Sequence, residues 1–110
     1  MNTIIATLVA ASTALAAPTP AADVDAFIKF MYASERCSGV VINFDKTMEQ
    51  VFDLGAVLKW DHDRTRDKIM VETRIAKFEH DQSRSKFCGE VKKIYDGYDP
   101  SYLKRVGVVD

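Results

Sequence analysis

The sequence predicts an all-α fold, a small bundle of about four helices with one disulfide. Three observations support this prediction. Apolar residues recur at spacings of three and four after residue 22, residues that favour helix ends flank these patterns, and the 110-residue chain has only two cysteines, Cys37 and Cys88. A minor alternative is an α+β fold with short strands near residues 40–44 and 106–109.

The first 17 residues predict a removable signal peptide. They carry no charged side chain, and the run from Ile4 to Leu15 consists mainly of Ile, Leu, Val and Ala. The segment ends in Ala14-Leu15-Ala16, the small-x-small pattern of signal peptidase sites. This apolar run is shorter than the roughly 20 residues that cross a bilayer. We therefore expect no membrane span, with residues 18–110 forming a single secreted domain.

A disulfide between Cys37 and Cys88 follows from this expectation, because disulfides form in oxidising compartments. Closing this long loop is expected to stabilise the domain by ~4 kcal/mol on the chain-entropy model. We expect an extracellular location, with the periplasm as the alternative, because the residues before Ile4 include no Lys or Arg. The run from Ala14 to Pro20 also resembles the leaders of secreted proteins of filamentous fungi.

The first two helices are predicted from their apolar spacing. The first runs from Asp23, as the N-cap, to Arg36, and Ser38-Gly39 ends it. The second spans about residues 40–60, and Gly55 on its apolar side allows a neighbouring element to approach closely. A competing interpretation places a short strand at residues 40–44, followed by a shorter helix that Asp45 caps.

Two further helices complete the prediction. The third runs from about Arg64 to Ser83, with Asp63 as its N-cap and a charged outer face. The fourth starts at Ser83 or Ser85 and ends at Gly97. Residues 99–103 are suited to one more helical turn, and residues 106–110 form either a docked, strand-like tail or a disordered one.

Composition and charge narrow the possible functions. The 15 basic and 16 acidic residues give a formal net charge of −1, so we expect no nucleic-acid partner. The two histidines, His62 and His80, are too far apart along one helix, about 27 Å, to share a metal ion. No metal site or cofactor is expected.

His62-Asp63, followed by Arg74-Ile75, Phe78 and Cys88, is similar to a pattern in secreted bacterial and fungal phospholipases A2. The resemblance implies that His62 would activate water and that Asp63 would help to bind calcium. The sequence departs from the family at Ala76, where the family has a second Asp that orients the histidine. In outline alone, the chain is also similar to small periplasmic acid-stress chaperones, which have a leader and two cysteines at a comparable separation.

The sequence favours a small secreted, non-enzymatic, effector-like interaction protein that binds an extracellular protein or surface. Four aromatic residues are the interaction candidates, since Tyr and Trp are favoured at interfaces: Trp60, Tyr95, Tyr98 and Tyr102. The tyrosine cluster is equally suited to covering one end of a bundle. Five phenylalanines are expected in the core: Phe27, Phe44, Phe52, Phe78 and Phe87. Lys104-Arg105 is a dibasic pair that a fungal secretory protease would recognise.

Overall fold

The computed structural model describes residues 19–110, which form five helices and no strand. In chain order they are α1 (Pro20–Ser34), α2 (Phe44–Val57), α3 (His62–Gln82), α4 (Arg84–Gly97) and α5 (Pro100–Arg105). The predicted all-α fold with one disulfide is confirmed. The strands considered near residues 40–44 and 106–109 were wrong, because neither segment pairs as a strand. The predicted signal peptide lies outside the described residues.

A short polar side chain caps the N-terminus of every helix. Each cap accepts a hydrogen bond from a backbone N–H in the first turn, a group with no partner inside the helix. The caps are Thr19, Asn43, Asp61, Ser83 and Asp99. Ser83 was one of the two predicted caps of its helix, whereas the assignments of Asp23, Asp45 and Asp63 as caps were wrong.

Helix α1 forms the centre of the molecule. Nearly all of its positions from residue 23 to 33 are buried, and Phe27, Ile28 and Phe30 have no exposed surface. This pattern arises because α2, α3 and α4 all contact α1. A helix with apolar residues on all sides is stable only when its neighbours surround it.

Helices α2 and α3 approach each other closely at Gly55. A Cβ atom at this position would overlap the hydroxyl of Thr65, which is buried. The Thr65 hydroxyl instead donates a hydrogen bond to the carbonyl of Asp61, at 3.1 Å. The predicted close approach at Gly55 is therefore confirmed.

The C-terminal tail docks against the start of α2. The side chain of Val108 is completely buried, and its carbonyl accepts a hydrogen bond from the Asn43 backbone N–H at 2.7 Å. The Asn43 side-chain amide also donates to the Asp110 carboxylate at 2.9 Å. The sequence left open a docked tail or a disordered one. The structure shows the docked tail, without strand pairing.

Candidate functional site

The side of α3 that faces α1 is unusually polar. Thr65 and Ala76 are buried there, and Glu72 and Thr73 are half-buried. Lys68 lies at the edge of this side, and its ammonium contacts the Asp25 carboxylate on α1 at 3.0 Å and the Glu72 carboxylate at 3.3 Å. The ion pair with Asp25 links α3 to α1.

The two carboxylates raise the pKa of Lys68. Burial opposes the charged ammonium, but the charges of Asp25 and Glu72 and the hydrogen bond to Glu72 outweigh burial. The lysine therefore stays charged wherever the two carboxylates are ionised.

Another side of α3 carries a row of exposed apolar side chains. Val71, Ile75 and Phe78 are 48%, 43% and 64% exposed. Residues four and seven apart lie on one side of a helix, so these three side chains form a continuous stripe that points away from the core. The exposed surface of α3 is otherwise charged, as predicted, but the predicted core position of Phe78 was wrong.

This stripe continues towards the N-terminus of α3 through Arg64, seven residues before Val71. The Arg64 guanidinium lies over the ring of half-buried Trp60, 5.2 Å from its centroid. We call the surface formed by Trp60, Arg64, Val71, Ile75 and Phe78 the outward face of α3. It includes one of the four predicted interaction residues.

The remaining phenylalanines divide between the core and the surface. Phe27 and Phe87 are buried as predicted. Phe44 is 42% exposed, so its predicted core position was wrong. It lines a groove of about 180 Å³ together with Met48 of α2 and Ile69 of α3. Phe52 is half-buried.

The three candidate tyrosines make internal hydrogen bonds. Tyr98 donates to Oδ1 of Asp23 at 2.7 Å, and Tyr102 donates to Oδ2 of the same carboxylate. Tyr95 donates to the carbonyl of Val41 at 2.7 Å. Asp23 is only 2% exposed, so the two phenols provide the hydrogen bonds that a buried carboxylate requires.

The rings of these tyrosines pack on α1. Tyr95 and Tyr98 both meet the ring of Phe30 edge to face, with centroids 5.3 and 5.8 Å apart. Burial, followed by the hydrogen bond to Asp23, raises the pKa of Tyr102 to about 12 and raises that of Tyr98 further. All three side chains are half-buried and cover one flank of α1.

His62 and Asp63 do not form a catalytic pair in this structure. The His62 ring stacks on Phe52, with centroids 4.7 Å apart, and no carboxylate of residues 19–110 lies within 4 Å of it. Asp63 faces the Arg66 guanidinium at 3.6 Å. Ala76, at the position of the family's second Asp, is completely buried.

His80 lies in aromatic surroundings, where its ring meets the rings of Tyr32 and Phe87 edge to face. Its Nε2 atom is buried without a hydrogen-bond partner. Across the described part of the chain, no three His, Cys, Asp or Glu side chains are grouped as metal ligands. Within the same residues, no helix has the length and apolar character needed to cross a membrane.

The disulfide joins the turn after α1 to the second turn of α4. The Cα atoms of Cys37 and Cys88 are 5.5 Å apart, a usual separation for such a bond. The predicted pairing is therefore confirmed.

Comparisons of the chain with protein-family models, with curated proteins and with solved structures find no significant match.

Proposed function

We propose that this chain is a small secreted, non-enzymatic interaction protein and that the outward face of α3 binds a protein partner outside the cell. One observation carries the proposal. Val71, Ile75 and Phe78 lie on an exposed side of α3, and folding of the chain leaves between 43% and 64% of each side chain in water. Contiguous apolar surface of this kind is typical of a protein–protein contact.

Two features support an extracellular location. The disulfide cross-links segments far apart in the chain, and such bonds persist in oxidising compartments. The N-terminal sequence has the pattern of a secretory leader.

The charges beside the stripe favour a partner other than a second copy. A symmetric antiparallel pairing centred between Val71 and Phe78 would place Arg74 beside Arg74 of the other copy, and like charges repel. No carboxylate of the described residues lies within 4 Å of Arg74. We therefore infer a partner with an apolar surface and a nearby acidic side chain.

Site-specific photocrosslinking tests this proposal. A photoreactive phenylalanine analogue replaces Phe78 in one sample and Val41, which is 72% exposed outside the helices, in another. The probe is the set of extracellular proteins that surround the producing cells. We expect the analogue at position 78 to form a discrete adduct with a second protein and the control at position 41 to form none.

A competition arm checks that the adduct depends on the apolar stripe. Unlabelled wild-type protein should suppress the adduct at position 78, whereas unlabelled Ile75→Asp should not, because a carboxylate would have to enter an apolar contact. The same adducts at both positions, or equal suppression by both competitors, would contradict the proposal. A dimer in light scattering that Ile75→Asp dissociates would identify a second copy as the occupant instead.

The phospholipase-type and acid-chaperone alternatives stay predictions of the sequence. No contact among the described residues favours either.

A further inference from the structure

A second site is independent of the outward face of α3. An open cleft of about 500 Å³ lies beside the disulfide, between the turn after α1 and the first half of α4. Three cationic side chains line it, Arg36, Arg84 and Lys92, and no carboxylate is among its lining residues. Two of these cations also contact carboxylates outside the lining, Arg36 at Glu35 and Lys92 at Asp96, whereas Arg84 has no ion pair among the described residues.

Local contacts hold the cations in place. The Arg84 guanidinium donates one hydrogen bond to the carbonyl of Arg36 at 3.1 Å and has no ion pair among the described residues. A guanidinium has five N–H donors, so most of those on Arg84 are available. The Arg36 guanidinium lies 3.9 Å from the centroid of the Tyr32 ring, donates to the Tyr32 carbonyl at 3.1 Å and lies 3.5 Å from the Glu35 carboxylate.

Gly39 positions the third cation, Lys92. It has a positive φ of 82°, and a Cβ atom there would lie 2.6 Å from Cε of Lys92. The lysine stem therefore runs directly over the glycine. The ammonium lies 2.6 Å from the Asp96 carboxylate.

Two neutral groups add hydrogen-bond donors to the cleft. The side-chain hydroxyls of Ser38 and Ser85 line it, and neither makes a hydrogen bond among residues 19–110. Ser85 lies in the first turn of α4, where the aligned backbone dipoles favour a negative charge.

Gly89 keeps the cleft open on the side of α4. A Cβ atom at this position would meet nothing within 4 Å, so helix packing does not require a glycine there. Glycine is unfavourable in the middle of a helix relative to alanine. Gly89 therefore leaves a space beside the cleft that a larger side chain would occupy.

We propose that this cleft binds a tetrahedral oxyanion, the phosphate or sulfate group of a small molecule. Arg84 and Arg36 provide charged donors in planar pairs, which suit the oxygen atoms of such a group, and Lys92 provides a point charge. The serine hydroxyls complete the set of donors.

Isothermal titration with inorganic phosphate, inorganic sulfate and glycerol 3-phosphate tests the proposal, with glycerol as the uncharged control. We expect the three anions to bind and glycerol not to bind. Tighter binding of glycerol 3-phosphate than of both inorganic ions would indicate an organic ester as the source, and equal binding would indicate a free ion. Absence of binding by all three anions would overturn the proposal.

Neighbouring lysines provide a matched control. Lys92→Ala and Lys93→Ala remove the same charge from adjacent positions of α4, but only Lys92 lines the cleft. We expect Lys92→Ala and Arg84→Ala each to weaken anion binding about tenfold, the effect of one charge-assisted hydrogen bond, and Lys93→Ala to leave it nearly unchanged. Equal weakening by Lys92→Ala and Lys93→Ala would show that general charge attraction, without a site, holds the anion.

A steric variant completes the test. Gly89→Leu adds a side chain to the cleft without removing a charge and should abolish anion binding, whereas Gly89→Ala should retain most of it. Unchanged anion binding by Gly89→Leu would overturn the proposed location. Ile75→Asp, on the outward face of α3, should bind the anion normally, which separates this site from the proposed protein contact.

Discussion

Lys59, two residues after the end of α2, has a backbone conformation that favours glycine. Its φ is 66°, and the N–H of the next residue, Trp60, donates to the carbonyl of Gly55 at 2.9 Å to close the last turn. A left-handed residue with a Cβ atom costs about 1 kcal/mol relative to glycine. The lysine is therefore a local source of strain at the α2–α3 turn.

Replacing Lys59 by Gly should raise the free energy of unfolding by about 0.5 to 1 kcal/mol, because the strain is relieved. Denaturation in urea provides the measurement. Lys93→Gly, in the middle of α4, is the control for the lost charge and should lower the stability by about 1 kcal/mol. A loss of stability in both variants would contradict the role assigned to the positive φ of Lys59.

The two tyrosines on Asp23 make the fold sensitive to alkaline pH. Burial and the Asp23 hydrogen bond raise the pKa of Tyr102 from 10 in the unfolded chain to about 12. The unfolded chain therefore loses this proton first, and the free energy of unfolding should fall as the pH rises from about 10 towards 12. Tyr98, with its pKa raised further, adds to the same loss.

Urea denaturation at pH 8, 10 and about 11 measures this loss. Tyr102→Phe removes one titrating group, so its stability should be lower at pH 8, by about 1.5 to 3 kcal/mol for the hydrogen bond to a charged group, but should decrease less on going to pH 11. Parallel pH profiles for the wild type and Tyr102→Phe would show that this phenol does not control the alkaline loss.

At the scale of single helices, two glycines have opposite surroundings. Gly55 of α2 faces the buried hydroxyl of Thr65, whereas a Cβ atom on Gly89 of α4 would meet nothing within 4 Å. Replacing each glycine by alanine therefore separates the effect of packing, at Gly55, from the effect of helix propensity, at Gly89.

Gly89→Ala should stabilise the protein by about 0.5 to 1 kcal/mol, because alanine favours the helix and nothing obstructs its methyl group. Gly55→Ala should destabilise it by about 1 to 3 kcal/mol, since the methyl group would force α2 and α3 apart. Thermal unfolding of the two variants beside the wild type is the measurement, and stabilisation by both would disprove the close approach at Gly55.

Helix α3 shows where sequence reasoning succeeds and where it ends. Its existence and most of its length follow from the apolar spacing of Val71, Ile75 and Phe78, but the spacing does not say which side faces the core. In the structure Ala76 is buried and Lys68 pairs with Asp25 on α1, so a different side of α3 lies inwards. These partners lie far apart in sequence, so the periodicity of one segment cannot reveal them.

Three predicted N-caps were wrong for a more local reason. Thr19 and Asp23, or Asp61 and Asp63, are equivalent choices by residue type. Burial decides between the first two, because Asp23 is drawn into the contact with Tyr98 and Tyr102. The disulfide pairing could be predicted without information on burial, since two cysteines allow only one intramolecular pairing.

At the scale of the whole molecule, contacts distant in sequence hold the helices around α1. The tail binds the start of α2 through Val108, the tyrosines bind the start of α1 through Asp23, and the disulfide ties the end of α1 to α4. Of these, only the disulfide is covalent. It also brings together the two sides of the cationic cleft.

Reduction of the Cys37–Cys88 bond should lower the free energy of unfolding by about 2 to 4 kcal/mol, because the bond closes a loop between residues 51 positions apart and so restricts the unfolded chain. Urea denaturation with and without a reductant measures the change. Cys37→Ser/Cys88→Ser is the control, since the reductant should not affect its stability.

Reduction also tests the role of the bond at the cleft, provided that the double variant remains folded. If reduction of the wild type abolishes anion binding but leaves crosslinking from position 78 unchanged, the effect of the bond is located at the cleft. Equal stability of the oxidised and reduced wild type would show that the non-covalent contacts of α1 alone hold the bundle together.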